Sequence, residues 1–142
     1  MTRSEIVKGL FSSIEAKDIA AARARLTPNF EFAGAVPQPI TAEMWLGMHS
    51  ALSAGFSDFS FNANNVKEEG DKVTMTVALS GTHDGTLALP LPGASPVAAT
   101  GRKVTLPEEH VAVEFAGDKI SRVFVTPHPQ GGPANILRQV TA

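Results

Sequence analysis

Cysteine is absent from the 142 residues, so disulfides, thiolate nucleophiles and cysteine-ligated metals are excluded, and the fold must stand on packing alone. No apolar run approaches the length that spans a bilayer, and none near the amino terminus forms the core of a signal peptide. The expectation is a soluble, cytoplasmic protein with no membrane partner. An excess of one charge sign is missing too. Twelve Lys and Arg against fourteen Asp and Glu leave a formal net charge of -2, and the basic residues are scattered, which excludes tracking of a nucleic-acid backbone. The four histidines show no His-x-x-x-His or comparable ligand spacing, so no metal is assigned. Neither a phosphate-cradling glycine loop nor a Ser-His-Asp order stands out. What remains is a chain with 43% hydrophobic residues, the size of one domain over residues 1–142 and long enough to bury a core.

Helices come first. Thr2-Arg3-Ser4-Glu5 has capping-box spacing, and Ile6, Val7, Leu10 and Ile14 recur at helical steps up to about Ala16. Asp18 is placed to cap a second, shorter helix with Ile19, Ala22 and Leu26 inward, ended by Thr27-Pro28. Phe30 and Phe32 suggest a short strand, and Gly34, Pro37 and Pro39 a loop before Thr41, which can cap a third helix. That helix carries Met44, Trp45, Met48, Leu52 and Phe56 as one bulky stripe, with His49 beside it.

Strands follow. Phe59, Phe61 and Ala63 alternate with polar residues, and Glu69-Gly70-Asp71 turns the chain into Val73, Met75, Val77 and Leu79, predicting a hairpin. Pro90, Pro92, Gly93 and Pro96 mark a long irregular loop. Val104 to Phe115 and Lys119 to Thr126 predict a last hairpin about Gly117-Asp118, and Ile136, Leu137 and Val140 a terminal helical turn after Gly131-Gly132-Pro133. Helices grouped before strands argue for α+β, with helices on one face of an antiparallel sheet.

The candidate chemistry gathers where the later strands meet the long loop. Alternation carried through Gly81 points His83 at the apolar side, where it reads equally as a general base or as a strand-end histidine satisfied by the following loop. Asp84 alternates outward and shapes the turn. Glu109 is in phase with Val111, Val113 and Phe115, so strict alternation sends its carboxylate inward and His110 the other way, although a bulge at Pro107 could exchange them. Glu108 is a weaker candidate. His49 flanks a helical stripe and reads as its solvent boundary or as a cavity group. His128, between Pro127 and Pro129, reads as loop. Trp45, Met48 and Phe56 fill a core or wall a pocket.

Several segments resemble one family in their order and spacing. They are Leu26-Thr27-Pro28-Asn29-Phe30, Gly55-Phe56-Ser57-Asp58-Phe59, Ser80-Gly81-Thr82-His83-Asp84-Gly85, Thr100-Gly101-Arg102-Lys103-Val104, Asp118-Lys119-Ile120 and the stretch from Gly131 to Gln139. The sequence resembles the SnoaL-like polyketide cyclases of the nuclear transport factor 2-like superfamily. The resemblance implies a curved antiparallel sheet packed against three N-terminal helices around a cone-shaped cavity, a cystatin-like α+β barrel, whose mouth the C-terminal segment can close. It implies ring closure of a polyketide by an intramolecular aldol reaction without a cofactor, with an Asp as general acid/base and a His nearby, and a homodimer. The Asp is expected just after an aromatic residue on the last strand. Phe124 stands there, followed by Val125, which cannot carry a proton. The family's His corresponds to His110 within one residue.

The expectation that follows is a cofactor-free cyclase or isomerase acting on a small hydrophobic, oxygenated metabolite. Glu109 or His110 would be paired with His83, and Trp45, Met48, His49, Phe56 and Phe124 would contact the ligand. The alternatives are a non-catalytic binding module for a hydrophobic ligand and a dimerisation module.

Overall fold

The computed structural model describes residues 2–34, 38–90, 94–131 and 133–141. Pro37, Pro92, Gly93 and Gly132, which the sequence places in loops, lie outside the described residues. Helix α1 (Arg3–Glu15) starts where the capping box predicts: Thr2 Oγ1 accepts from the Glu5 N–H at 3.1 Å, and Glu5 Oε1 accepts from the Thr2 N–H at 3.3 Å. It buries Ile6, Val7, Leu10, Phe11 and Ile14, each worth about 1.5–3 kcal/mol against exposure. Helix α2 (Ile19–Ala24) is capped by Asp18.

The expected end of α2 at Thr27-Pro28 is corrected. Leu26 is buried as the first residue of strand β1 (Leu26–Ala33), paired with Ile120, while the Ile120 N–H bonds the Arg25 carbonyl. Tertiary pairing therefore overrides two further residues of helical pattern. Pro28 falls where the register between Leu26 and Glu31 is irregular, a place at which a missing N–H costs the ladder least.

Strand β2 (Ile40–Thr41) leads into α3 (Ala42–Gly55), capped by Thr41 through the Met44 N–H. The buried face of α3 centres on Trp45, Met48, His49 and Leu52, and Met44 overhangs its edge at 57% exposure, outside the stripe to which its spacing assigned it. Strands β3 (Asn64–Glu69) and β4 (Lys72–Val77) form the predicted hairpin, with Gly70 at φ +64° in the turn. Phe59 and Phe61 precede β3 instead of belonging to it. Asn62 takes left-handed backbone between Phe61 and β3, and Asn65 does so where the β3 register is irregular, which breaks a regular strand, although both phenylalanines remain buried.

The run from Val104 to Phe115 is two strands, not one. Strand β5 (Ser80–Thr82) pairs with β6 (Lys103–Thr105) in a separate two-stranded sheet, and β7 (Glu109–Ala116) pairs with β4 and with β8 (Lys119–Val125). Pro107 lies in the break, where no ladder donor is required. Helix α4 (Pro133–Thr141) buries Ile136 and Val140, and the Gln139 amide pairs with both the N–H and the carbonyl of Thr105 on the edge of β6.

The main sheet runs β2-β1-β8-β7-β4-β3, curved around the helices and not closed. Its β1 and β8 pair in parallel, which corrects the all-antiparallel expectation. No described helix is long and apolar enough to cross a membrane.

Candidate active site

Alternation along the central strands decides which side chains meet the helices. On β7, Glu109, Val111 and Val113 are buried while His110 is exposed. On β8, Val123 and Val125 are buried and Phe124 points to the other face, where the Arg122 guanidinium lies 5.3 Å from its ring centroid. Between this inner face and α3 lies a cavity of about 70 Å³ walled by aromatic and aliphatic side chains, among them Phe32, Trp45, Met48, Val77 and Val111. Its described lining includes two side chains that can exchange a proton, His49 and Glu109.

Glu109 enters from the start of β7 and is 7% exposed. Its Oε2 accepts the backbone N–H of His128 at 3.0 Å, and Gly131 packs against the carboxylate so closely that a Cβ there would meet Oε2 at 2.7 Å. The turn that does this is held by the Gly131 N–H on the His128 carbonyl at 2.9 Å and by the Asn135 amide on the Gly131 carbonyl. Ile136 of α4 lines the cavity as well. The C-terminal segment thus both covers the site and orients its acid.

His49 is 4% exposed and sits in an aromatic nest, edge-on to Trp45 at 5.0 Å and 5.2 Å from Phe61 between ring centroids. Burial among these rings pushes its pKa down to about 4, because the charged imidazolium loses its hydration without gaining a partner. It is therefore a neutral imidazole at pH 7. Its Nδ1 and the Trp45 Nε1 are buried without a hydrogen-bond partner among the described residues. Buried polar atoms of that kind next to a cavity are what a bound oxygen would satisfy.

The structure does not bring together the groups that sequence paired. His83 is fully buried, as its alternation predicts, but it is not part of the cavity lining. The Thr100 N–H donates to its Nδ1 at 3.3 Å, with the Thr100 hydroxyl at 2.8 Å, and its ring lies 5.6 Å from that of Phe56. Its neighbours are stapled on both sides. The Thr82 N–H and hydroxyl donate to Asp58, and the Ser57 N–H and hydroxyl donate to Asp84, which holds both carboxyls below the usual range. His83 is held by the following loop through Nδ1 alone, and its Nε2 is buried without a hydrogen-bond partner among the described residues.

His110 lies on the outer face of the sheet with Lys67, Thr74 and Thr76, so the bulge that would have turned it inward does not occur. Phe124 is likewise outside the cavity. Phe56 lines a smaller adjoining hollow with Leu52 and Val104. Glu108 and His128 are exposed, and His128 acts on the site through its backbone alone. Trp45 and Met48 do wall the cavity. His49, which its position beside a stripe left as either a solvent boundary or a cavity group, is interior and lines the cavity. The sequence marked Gly131 only as a loop residue before the terminal helix, and it offered no signal for the His128 N–H, because backbone donors carry no residue code. No group of three His, Asp or Glu side chains that could hold a metal occurs among the described residues.

A family model for the SnoaL-like polyketide cyclases matches residues 5–126. Among solved structures, a candidate SnoaL-like polyketide cyclase from Jannaschia sp. CCS1 is 22% identical, covering 99% of this chain and 92% of its own with a TM-score of 0.73. IdmH, a proposed polyketide cyclase from Streptomyces antibioticus, is 18% identical over 100% of both chains, TM-score 0.73. AclR from Streptomyces galilaeus, described as a candidate hydroxylase, is 14% identical over 98% and 95%, TM-score 0.74. At these identities the likeness speaks for the fold alone. No curated protein sequence matches the chain.

Proposed function

The chain belongs to the SnoaL-like polyketide cyclase family, and from that premise we propose that it binds an uncharged, oxygenated hydrophobic metabolite and moves a proton on it without a cofactor. The observation that carries this is the meeting of Glu109 and His49 in one otherwise apolar cavity. In this scheme the Glu109 carboxylate takes a proton from the carbon next to a carbonyl, the C–H electron pair becomes the new carbon–carbon double bond while the carbonyl π pair moves onto oxygen, and the neutral His49 donates a hydrogen bond to the resulting enolate. The proton returns from Glu109 to carbon in an isomerisation. In an aldol closure the enolate carbon attacks a second carbonyl and the proton goes to the new alkoxide.

Geometry supplies a reason why Val125 need not end the chemistry. Val125 pairs with Val111 across β7 and β8, and Glu109 is the next residue on the same face of β7. Diagonal neighbours of this kind lie about 7–8 Å apart, and a glutamate has one more methylene than the aspartate that the family places at the Val125 position. The acid has moved one strand over.

The test is α-proton exchange of cyclohexanone in deuterated buffer, followed by proton NMR. Catalysed exchange that vanishes in Glu109→Gln supports the scheme, and exchange equal to that of the variant refutes it. A second reading, capture of a hydrophobic ligand without turnover, is favoured by the aliphatic Val125 and would show as ligand binding with no exchange.

A further inference from the structure

Phe11 and Phe61 stack with ring centroids 4.4 Å apart and planes 15° from parallel. Both line the interior cavity, and both also line an outer cleft of about 360 Å³ between α1 and the segment entering β3. The two rings are therefore wall to both spaces. On the outer side the cleft is bordered by Lys8, Ser12, Glu15 and Asn62, all exposed.

The main chain behind this wall is fixed. The Phe61 N–H donates to Glu15 Oε2 at 2.8 Å, and its carbonyl accepts from the Ala78 N–H at 2.9 Å. The Asn62 amide donates to the Ala78 carbonyl at 2.7 Å and to Ser80 Oγ at 2.8 Å. What is left to move is the two aromatic side chains, which can change rotamer without breaking any of those main-chain bonds. Movement is needed, because about 70 Å³ is well below the roughly 300–1,000 Å³ of sites for drug-sized ligands.

We propose that the Phe11–Phe61 pair is a side-chain gate, and that an elongated, uncharged carbonyl compound binds across it. Its oxygenated end lies in the cavity beside Glu109 and His49, and its apolar remainder lies in the outer cleft. This rests on the cavity being a carbonyl site and adds the shape of the ligand.

Trp45 is the only tryptophan and lines the cavity, so quenching of its emission by a ketone reports occupancy. Cyclohexanone and 4-cyclohexylcyclohexanone serve as short and long probes. Ser12→Phe, a change at an exposed helix position, fills the cleft. It should weaken binding of the long ketone at least tenfold while leaving the short one within threefold. Phe61→Leu, shown to be folded by its thermal transition, should tighten the long ketone at least fivefold. Equal effects on both ketones, or a long ketone indifferent to Ser12→Phe, overturns the gate. So does a gain seen only on loosening the opposite end of the cavity with Asn135→Ala, which would place entry at α4. The readout is binding, so exchange that persists in Glu109→Gln while these shifts hold would count against the proton-transfer scheme alone.

Discussion

Glu109 is oriented by His128 through its backbone: the N–H meets Oε2 at 3.0 Å, and the His128 ring turns back to accept the Gln130 N–H at Nδ1. A carboxylate held by one main-chain donor, with Gly131 pressed against it, has little freedom to swing away from the cavity.

That arrangement makes Gly131 sensitive. Gly131→Ala would put a methyl group 2.7 Å from Oε2 and 2.8 Å from Cδ, so the carboxylate must shift and lose the His128 bond. The expected result is a stability loss of about 1–3 kcal/mol, the cost of leaving a buried polar group without its partner, and at least a tenfold fall in ketone α-proton exchange. Urea unfolding and NMR exchange rates check the two halves. Full exchange activity in a folded Gly131→Ala protein would show that the carboxylate's position does not matter.

If the acid has moved from the Val125 position to its diagonal neighbour, it can be moved back. Glu109→Gln should lower exchange by two orders of magnitude or more, in keeping with a positioned acid/base group. Adding Val125→Asp to that variant should recover at least tenfold. Val125→Asp in the same background with no recovery, in a protein whose thermal transition is intact, would say that the cavity does not present the two positions to a common ligand.

His49 should make stability pH-dependent. Its pKa is about 4 folded and about 6.5 unfolded. Below pH 6.5 the unfolded chain takes up a proton that the folded one refuses, so stability is full above about pH 7 and falls as pH drops towards 4, below which both states are protonated. At pH 5 the loss is about 2 kcal/mol. His49→Phe should flatten this slope between pH 7 and pH 5 in urea titrations. A slope unchanged by the substitution would mean that the imidazole is hydrated or partnered in solution.

Much of this was legible in the sequence, and the rest was not for identifiable reasons. Local rules placed the caps of Thr2, Asp18 and Thr41, and period-two alternation sent Glu109 inward and His110 outward against the family comparison. Where tertiary pairing competes with local pattern, periodicity failed. Leu26 satisfies a helical stripe and a strand equally well, and β8 decides. Pro107 divides a run that alternates evenly on paper, which separates the strand bearing Val104 from that bearing Glu109. That His83 and Glu109 do not share one hollow was not legible, for a similar reason. His83 and Glu109 are both buried, but His83 follows β5, bridged to Phe56, while Glu109 opens β7, and register within a strand says nothing about which hollow a side chain enters. His49 was harder still, since a residue flanking a stripe becomes interior only once Phe59 and Phe61 fold over it.

Backbone clash and backbone strain can be separated at two glycines. Gly34 follows β1 with φ +100°, and a Cβ there would stand 1.9 Å from the Val125 carbonyl oxygen, at the end of the strand that lines the cavity. Gly70 has φ +64° with nothing within 4 Å. Gly70→Ala should therefore cost only the left-handed penalty, about 1–2 kcal/mol. Gly34→Ala must also push β1 away from β8, and should cost about 3 kcal/mol or more. Since the parallel pairing of Ala33 with Phe124 sets the height of Val125 against the cavity, the Gly34 variant should lose ketone binding as well, while the Gly70 variant keeps it. Urea midpoints read by circular dichroism, with Trp45 quenching for binding, give both comparisons. Equal costs at the two sites would mean that the β1 end relaxes freely and does not shape the cavity.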